Sequence, residues 1–157
     1  GCALGVQWLS KRCKLDEFKS HAFFAGLFHD VGKLFVLMVA DQMKQKDKNL
    51  SITNELIMEA MNLLHTEQGY SLMKQWNLPE EYCVIAKDHH KIDFDGKNLL
   101  LLLVRLSNMA CLKLGIGLAI DPTLELSANE EAHLLNLSEI DLAELEIFLE
   151  DTAILSG

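Results

Sequence analysis

Four of the six histidines fall in three local clusters, His29-Asp30, His65 and His89-His90, and these are the residues whose types and grouping suit chemistry. Imidazole and carboxylate hold Zn, Fe, Mn or Ni at neutral pH, provided several of them converge from different helices. An ion held in that way can lower the pKa of a bound water and clamp a phosphate. Taken singly, each cluster has a plainer explanation. A histidine in the last turn of a helix complements the dipole and bonds a free carbonyl, which would account for His29, His89 or His90. His21 and His133 have no such neighbours and read as surface or satisfied polar residues.

The elements that must position these clusters are helices. Apolar residues recur at helical spacing almost throughout, and only Pro79 and Pro122 interrupt a chain rich in Leu, Ala, Glu, Lys and Met. The reading is an all-α fold of eight or nine helices with short connections and no strand alternation. A first helix runs from about Ala3 to Cys13. A second starts near Asp16, carries Phe18, Ala22, Ala25 and Phe28 on one side, and is given a C-terminal turn by Gly32. A third runs from Leu34 to about Lys44 and gives way to the polar loop Lys44 to Asn49. Ser51 or Thr53 caps a helix through Leu64, His65 to Trp76 forms another, and Pro79 opens one that reaches about His90. Asn98 to Leu114 is apolar nearly all round, as a central buried helix would be, and Gly115 and Gly117 end it. Capping signals at Ser127 to Glu130 and Ser138 to Asp141 start two C-terminal helices. On this map each histidine cluster lies near a helix end, where several termini can aim ligands at one cleft. Adjacent His89 and His90, about 100° apart on a helix, need not both face it.

Composition bounds the rest. A chain of about 150 residues buries roughly 70% of the surface it exposes when unfolded, enough for one domain over 1–157 with a real core. Cys2, Cys13, Cys83 and Cys111 are scattered with no CxxC pair, which suits buried thiols in a reducing compartment better than a disulfide framework or a zinc ribbon. The apolar run Leu99 to Val104 stops at Arg105 and is too short to span a bilayer, and no charged leader precedes an apolar stretch. The expectation is a cytoplasmic protein with no membrane span. A formal charge of −9 speaks against a nucleic-acid partner, which needs clustered Lys and Arg. Residues 118–157 hold ten acidic side chains and no Lys or Arg, so the C-terminal helices of the domain present either a solvated acidic face or a docking surface for a basic partner. The first helix begins abruptly, with neither cap nor leader, so the domain reads as truncated at its N-terminus.

The string Ala25-Gly26-Leu27-Phe28-His29-Asp30-Val31-Gly32-Lys33-Leu34 resembles the signature of the HD superfamily of metal-dependent phosphohydrolases, approximately Gly-Leu-Leu-His-Asp-Ile-Gly-Lys. His65-Thr66-Glu67-Gln68-Gly69-Tyr70, Trp76-Asn77-Leu78-Pro79-Glu80 and Asp88-His89-His90 are similar in order and spacing to HDOD domains, in which His-x-x-x-Gly leads to Trp-x-Leu-Pro and ends in His-His. Leu106-Ser107-Asn108 extends the likeness to Leu114. The resemblance implies a compact HD-like helical bundle and a site for a divalent metal (Fe, Mn, Zn, Ni or Mg) drawn from His29, Asp30, His65, His89 and His90. It also exposes two departures. Active HD enzymes carry a further His roughly thirty residues before the His-Asp pair, a position that falls before Gly1. Where they close the first metal site with an Asp, this chain has Asn108, and a neutral amide is a poorer cation ligand. The set for a second ion, His65, His89 and His90 with Asp30 bridging, is complete.

The resemblance therefore implies a bacterial signal-transduction or regulatory domain with a degenerate metal site, working through other signalling proteins or domains or through a nucleotide-type small ligand, without catalysis. The alternative is an active phosphohydrolase or phosphodiesterase acting on nucleotides or cyclic di-nucleotides, with Asp30 in its catalytic centre and Lys33 meeting a phosphate. A Lys following Gly at a helix C-terminus is also favoured by the dipole alone. A third reading makes the histidines a purely polar network and leaves function to the acidic C-terminal helices. Gly69-Tyr70 precedes the His-His pair and is followed by Ser71, unlike the Gly-Tyr-Pro of the branch that cleaves cyclic di-nucleotides, so it reads as a close helix contact at Gly69 with Tyr70 packing nearby.

Overall fold

In the computed structural model, which describes residues 1–156, helical periodicity becomes eight α-helices, two short 3-10 turns and, among the described residues, no strand. The helices are α1 (Cys2–Arg12), α2 (Lys19–Phe28), α3 (Val31–Lys46), α4 (Asn54–Gln75), α5 (Glu80–Asp88), α6 (Leu99–Leu114), α7 (Glu130–Leu134) and α8 (Glu139–Ser156). The all-α expectation holds. Backbone contacts divide the chain into two units, one formed by Gly1–Leu27 with the segment from Ile92 onward, the other by Phe28–Lys91.

In the first unit α6 is the buried centre. Leu100, Leu101, Leu102, Leu103, Val104 and Leu106 are all inaccessible, as the apolar sequence requires. Asn98 caps the helix by accepting from the Leu101 N–H, and Gly115 ends it in the left-handed region at φ +69°. α8 contributes Leu142, Leu145 and Leu149 at spacings of three and four, and α1 contributes Val6 and Leu9. Gly5 lets α1 approach α6: a Cβ there would fall 2.2 Å from Ser107 Oγ, which itself donates to the Cys2 carbonyl at 2.9 Å. Arg105 pairs with Glu131 at 2.6 Å and lies 4.0 Å over the Phe94 ring, so this buried charge is matched.

The second unit is built on α3, α4 and α5. Two expectations are corrected here. Gly32 does not end a helix: α2 stops at Phe28, His29 and Asp30 form a short break, and Gly32 sits in the first turn of α3. Its missing Cβ serves the crossing with α4, since a Cβ at Gly32 would fall 1.9 Å from the His65 carbonyl oxygen and 2.7 Å from the Gly69 nitrogen. Second, the two helices expected over Ser51 to Trp76 are one, α4, because nothing between Leu64 and His65 breaks a helix and Gly69 is held in place by packing. Thr53, rather than Ser51, caps it through the Leu56 N–H, a contact worth about 1 kcal/mol. At its other end Asn77 takes φ +54°, with the Leu78 N–H bonded to the Met73 carbonyl, and Pro79 follows as the N-cap of α5. The Trp-Asn-Leu-Pro string is thus the turn that folds α5 back along α4.

The stretch Ser20–Lys46 contains an 18-residue window of mean hydropathy 1.6, long and apolar enough by composition to cross a membrane, which the six-residue run at Leu99 did not suggest. The His29-Asp30 break interrupts it. Its apolarity is partly outward, because Leu34, Leu37, Met38 and Val39 of α3 are exposed.

Candidate metal centre

Asp30 is the hub. It stands as N-cap of α3, yet its carboxylate accepts no hydrogen bond from that helix's own N–H groups, so both oxygens are available to other partners. The positive end of α3 still favours its charge. Oδ1 lies 3.4 Å from His65 Nε2 and 3.4 Å from His89 Nε2. Oδ2 lies 2.6 Å from Lys33 Nζ and 3.4 Å from His29 Nε2.

Each buried imidazole on the Oδ1 side is oriented by a backbone carbonyl. His65, on α4, donates from Nδ1 to the Met61 carbonyl at 2.7 Å, and His89, at the C-cap of α5, donates from Nδ1 to the Ala86 carbonyl at 2.9 Å. With the ring protons assigned by these bonds, Nε2 of each carries a lone pair aimed inward. The two Nε2 atoms stand 3.4 Å apart. Two imidazole nitrogens and Asp30 Oδ1 therefore face one another, and Asp30 Oδ1 is buried without a hydrogen bond. A buried acceptor left so costs about 1–3 kcal/mol.

A cation held there would remove that penalty. Ligand atoms at about 2.0–2.2 Å from one ion stand about 3.0–3.5 Å from each other, which is the spacing found here. His90 completes the set: the residue as a whole is exposed, but its ring packs 4.1 Å from that of His89 and 5.1 Å from that of His65, and the ligand atoms of Asp30, His65, His89 and His90 all lie within 4.8 Å of one another. Both members of the His-His pair reach the centre. α5 ends at Asp88, so the regular helical step does not carry on to His90. Three imidazoles and one carboxylate suit Zn, Fe, Mn or Ni; Mg, which wants oxygen, fits less well.

The electrostatics agree with a ligand role. Burial acts to raise the Asp30 pKa, but the imidazoles of His29 and His89 and the Lys33 ammonium outweigh it and hold the carboxyl well below the usual range. Burial lowers His65 and His89, with the Asp30 charge opposing it. His90 is depressed to about 3 by burial and by its neighbours His89 and His65. At neutral pH the centre therefore consists of one carboxylate and neutral imidazoles, the protonation states a metal requires.

Of the five expected ligands, four converge and one stands apart. His29 is buried and packs edge-on against His89 with ring centroids 5.0 Å apart, but it meets the Oδ2 side of Asp30 and lies outside the group of four. Asn108 lies half-buried on α6, in the first unit. His21 is half-buried and His133 exposed. Gly69 meets Gly32 in the α3–α4 crossing, and Tyr70 donates to Glu80 at 3.3 Å with Lys87 over its ring, so this pair is packing, as its order in the chain suggested. Sequence reasoning missed the carbonyls of Met61 and Ala86 that set the imidazole tautomers. Their only signal is position, four and three residues before a histidine.

The comparisons with known proteins follow this geometry. A sequence-family model described as the HDOD domain matches residues 1–92, more than half of the chain and all five candidate ligands. Among solved structures, a crystal structure of an HDOD domain protein of unknown function from Geobacter sulfurreducens matches with TM-score 0.65 and 21% identity, over 98% of this chain and 57% of that one. That likeness speaks to the fold, and this chain spans little more than half of that protein's length. No curated protein matches. The HD string, the turn before α5 and the His-His pair thus sit in the structural setting of one family, and the chain belongs to the HDOD domain family.

Proposed function

We propose that this chain is a bacterial regulatory or signalling domain that holds a divalent transition metal through Asp30, His65, His89 and His90 and acts through ligand or protein interactions, without hydrolysis. The observation that carries the reading is the convergence of His65 Nε2, His89 Nε2 and Asp30 Oδ1 at 3.4 Å spacings. A bound ion would supply Lewis acidity there. The chain's own part is to fix the two buried rings by their Nδ1 bonds, to keep the imidazoles neutral, and to leave His90 on the open side, where a ligand can approach.

Against hydrolysis stands the ligand inventory. Hydrolases with paired metals clamp the attacking and leaving oxygens between two ions about 3.5–4 Å apart. The second set of donors here is His29 with one oxygen of Asp30, and the resemblance puts Asn108 where a carboxylate is expected. The outward apolar residues of α3 support action through contacts with other proteins or domains. A cytoplasmic setting suits the four free cysteines.

The test is metal analysis of the purified protein combined with assays on cyclic di-nucleotides and nucleoside phosphates in Mn2+ or Fe2+. Bound metal that is lost in His89→Ala, with no turnover, is the expected result. Turnover that disappears in Asp30→Ala would establish the phosphohydrolase instead, a reading favoured by the position of Lys33 beside the centre.

A further inference from the structure

We propose that the outer face of α8 is a docking surface for a partner protein that presents a basic amphipathic helix. The proposal rests on the interaction part of the reading above and is independent of the metal.

α8 has two apolar faces. Leu142, Leu145 and Leu149 are buried against the core, whereas Ile140, Ile147 and Ile154 are 69%, 58% and 77% exposed. The exposed three recur at intervals of seven. Seven residues fall about 20° short of two full turns, so the stripe winds slowly round the helix, as the seam of a coiled coil does. Isoleucine is not among the better helix formers, and three of them in water do nothing for α8 that alanine or glutamate would not do better. A partner that covers them gains their burial.

The charges beside the stripe select the occupant. With the isoleucines at the first position of each heptad, Glu144 and Asp151 stand at fifth positions and Glu139 and Glu146 at seventh positions. In paired helices these flanking positions set partner choice. All four are acidic, and residues 118–157 hold no Lys or Arg, so a second copy of α8 would bring carboxylate against carboxylate in either orientation. Glu150, at the fourth position of the second heptad, adds a carboxylate to the seam itself. A helix with Lys or Arg at the matching positions is attracted instead. The chain answers part of this charge, with Arg12 at 3.2 Å from Glu144 and Lys113 at 2.6 Å from Glu146.

A recess adjoins the stripe. Beside the short side chain of Ala143, buried Leu126 and Leu142 and exposed Glu125 and Glu139 line a groove of about 310 Å3, together with the Lys113–Glu146 pair. Apolar walls below an excess of carboxylate suit the aliphatic stem and charged head of a partner's Lys or Arg.

The probe is a fluorescent helical peptide of about three heptads, with Ile and Leu at the seam positions and Lys at the flanking ones, titrated with the whole chain and followed by anisotropy. Wild type should bind it saturably. Ile147→Lys should weaken binding about tenfold or more while leaving the thermal melt unchanged. Glu139→Lys combined with Asp151→Lys should weaken it by about as much and gain affinity for a counterpart peptide with Glu at the flanking positions, a reversal that general attraction to an acidic protein does not give. Metal content, measured on the same samples, should be equal in all of them, so failure here is separate from failure of the metal reading. No binding by wild type, equal binding of a scrambled basic peptide, or binding unchanged in the variants overturns the proposal. Sedimentation that shows a dimer dissociated by Ile147→Lys also overturns it, and assigns the face to a second copy.

Discussion

The two units of this chain bury their polar groups in opposite ways. Around α6 the buried polar side chains are matched: Ser107 donates to a backbone carbonyl, and Arg105 pairs with Glu131 and lies over the Phe94 ring. Around α4 two imidazole nitrogens crowd one carboxylate oxygen at 3.4 Å, and that oxygen is buried without a hydrogen bond. The first arrangement lowers the free energy of the fold as it stands. The second raises it, and persists because α3 and α4 are locked together at Gly32 and Gly69. Strain of this kind collects at binding sites, and that is the ground for the metal reading proposed above.

Several substitutions would break or sharpen that contrast. The largest effect is expected at Gly32→Ala, where the new methyl would sit 1.9 Å from a backbone oxygen that cannot yield. A loss of about 3 kcal/mol or more, read by chemical denaturation, is expected together with loss of metal binding, whereas Gly69→Ala, whose nearest neighbour would be 3.3 Å away, should be milder. In the other unit Leu103→Ala should cost about 2–5 kcal/mol from the cavity it leaves, while metal affinity, measured on the folded fraction, stays put.

Metal itself is the next lever. At about a hundredfold excess over its dissociation constant an ion should stabilise the wild type by about 2.7 kcal/mol, seen as a rise in Tm that a chelator reverses and that His89→Ala lacks.

The pH dependence follows from the depressed imidazoles. His65, His89 and His90 all titrate below their ordinary value when folded, so between about pH 6.5 and the folded pKa the unfolded chain binds more protons than the native one. Stability of the metal-free protein should therefore be fully present above about pH 6.5 and fall as the pH drops, by up to about 1.4 kcal/mol per pH unit for each fully buried histidine. His89→Gln should flatten the slope. The depressed Asp30 acts in a separate window: its contribution is present above the unfolded value of about 4 and is lost only in stronger acid. The smallest effect is expected on the exposed face of α8, where Ile147→Lys should change stability by less than about 0.5 kcal/mol.

Helix content and the converging ligands were legible in the sequence because both are local or motif-borne: apolar spacing for the helices, ordered His and Asp strings for the centre. What escaped was tertiary. Gly32 was read as a helix end because glycine commonly supplies one, yet its backbone is helical and its lack of a Cβ is used by a helix more than thirty residues away in the chain. Dividing α4 at His65 gave a functional residue a boundary that no breaker supported. His29 belonged to the motif but meets the far oxygen of Asp30, a division of the carboxylate that spacing does not reveal. Lys33 was placed beside the site by its motif, while its hold on Asp30 depends on where the side chain folds back.

The central claim is that inward lone pairs of histidine and aspartate make one nitrogen-rich cation site. X-ray absorption on protein loaded with one equivalent of Zn2+ or Ni2+ tests it most directly. The account predicts a shell dominated by imidazole nitrogen with carboxylate oxygen, and loss of imidazole scattering in His65→Ala and His89→Ala. An oxygen-only shell, or a spectrum unchanged by those substitutions, would contradict it.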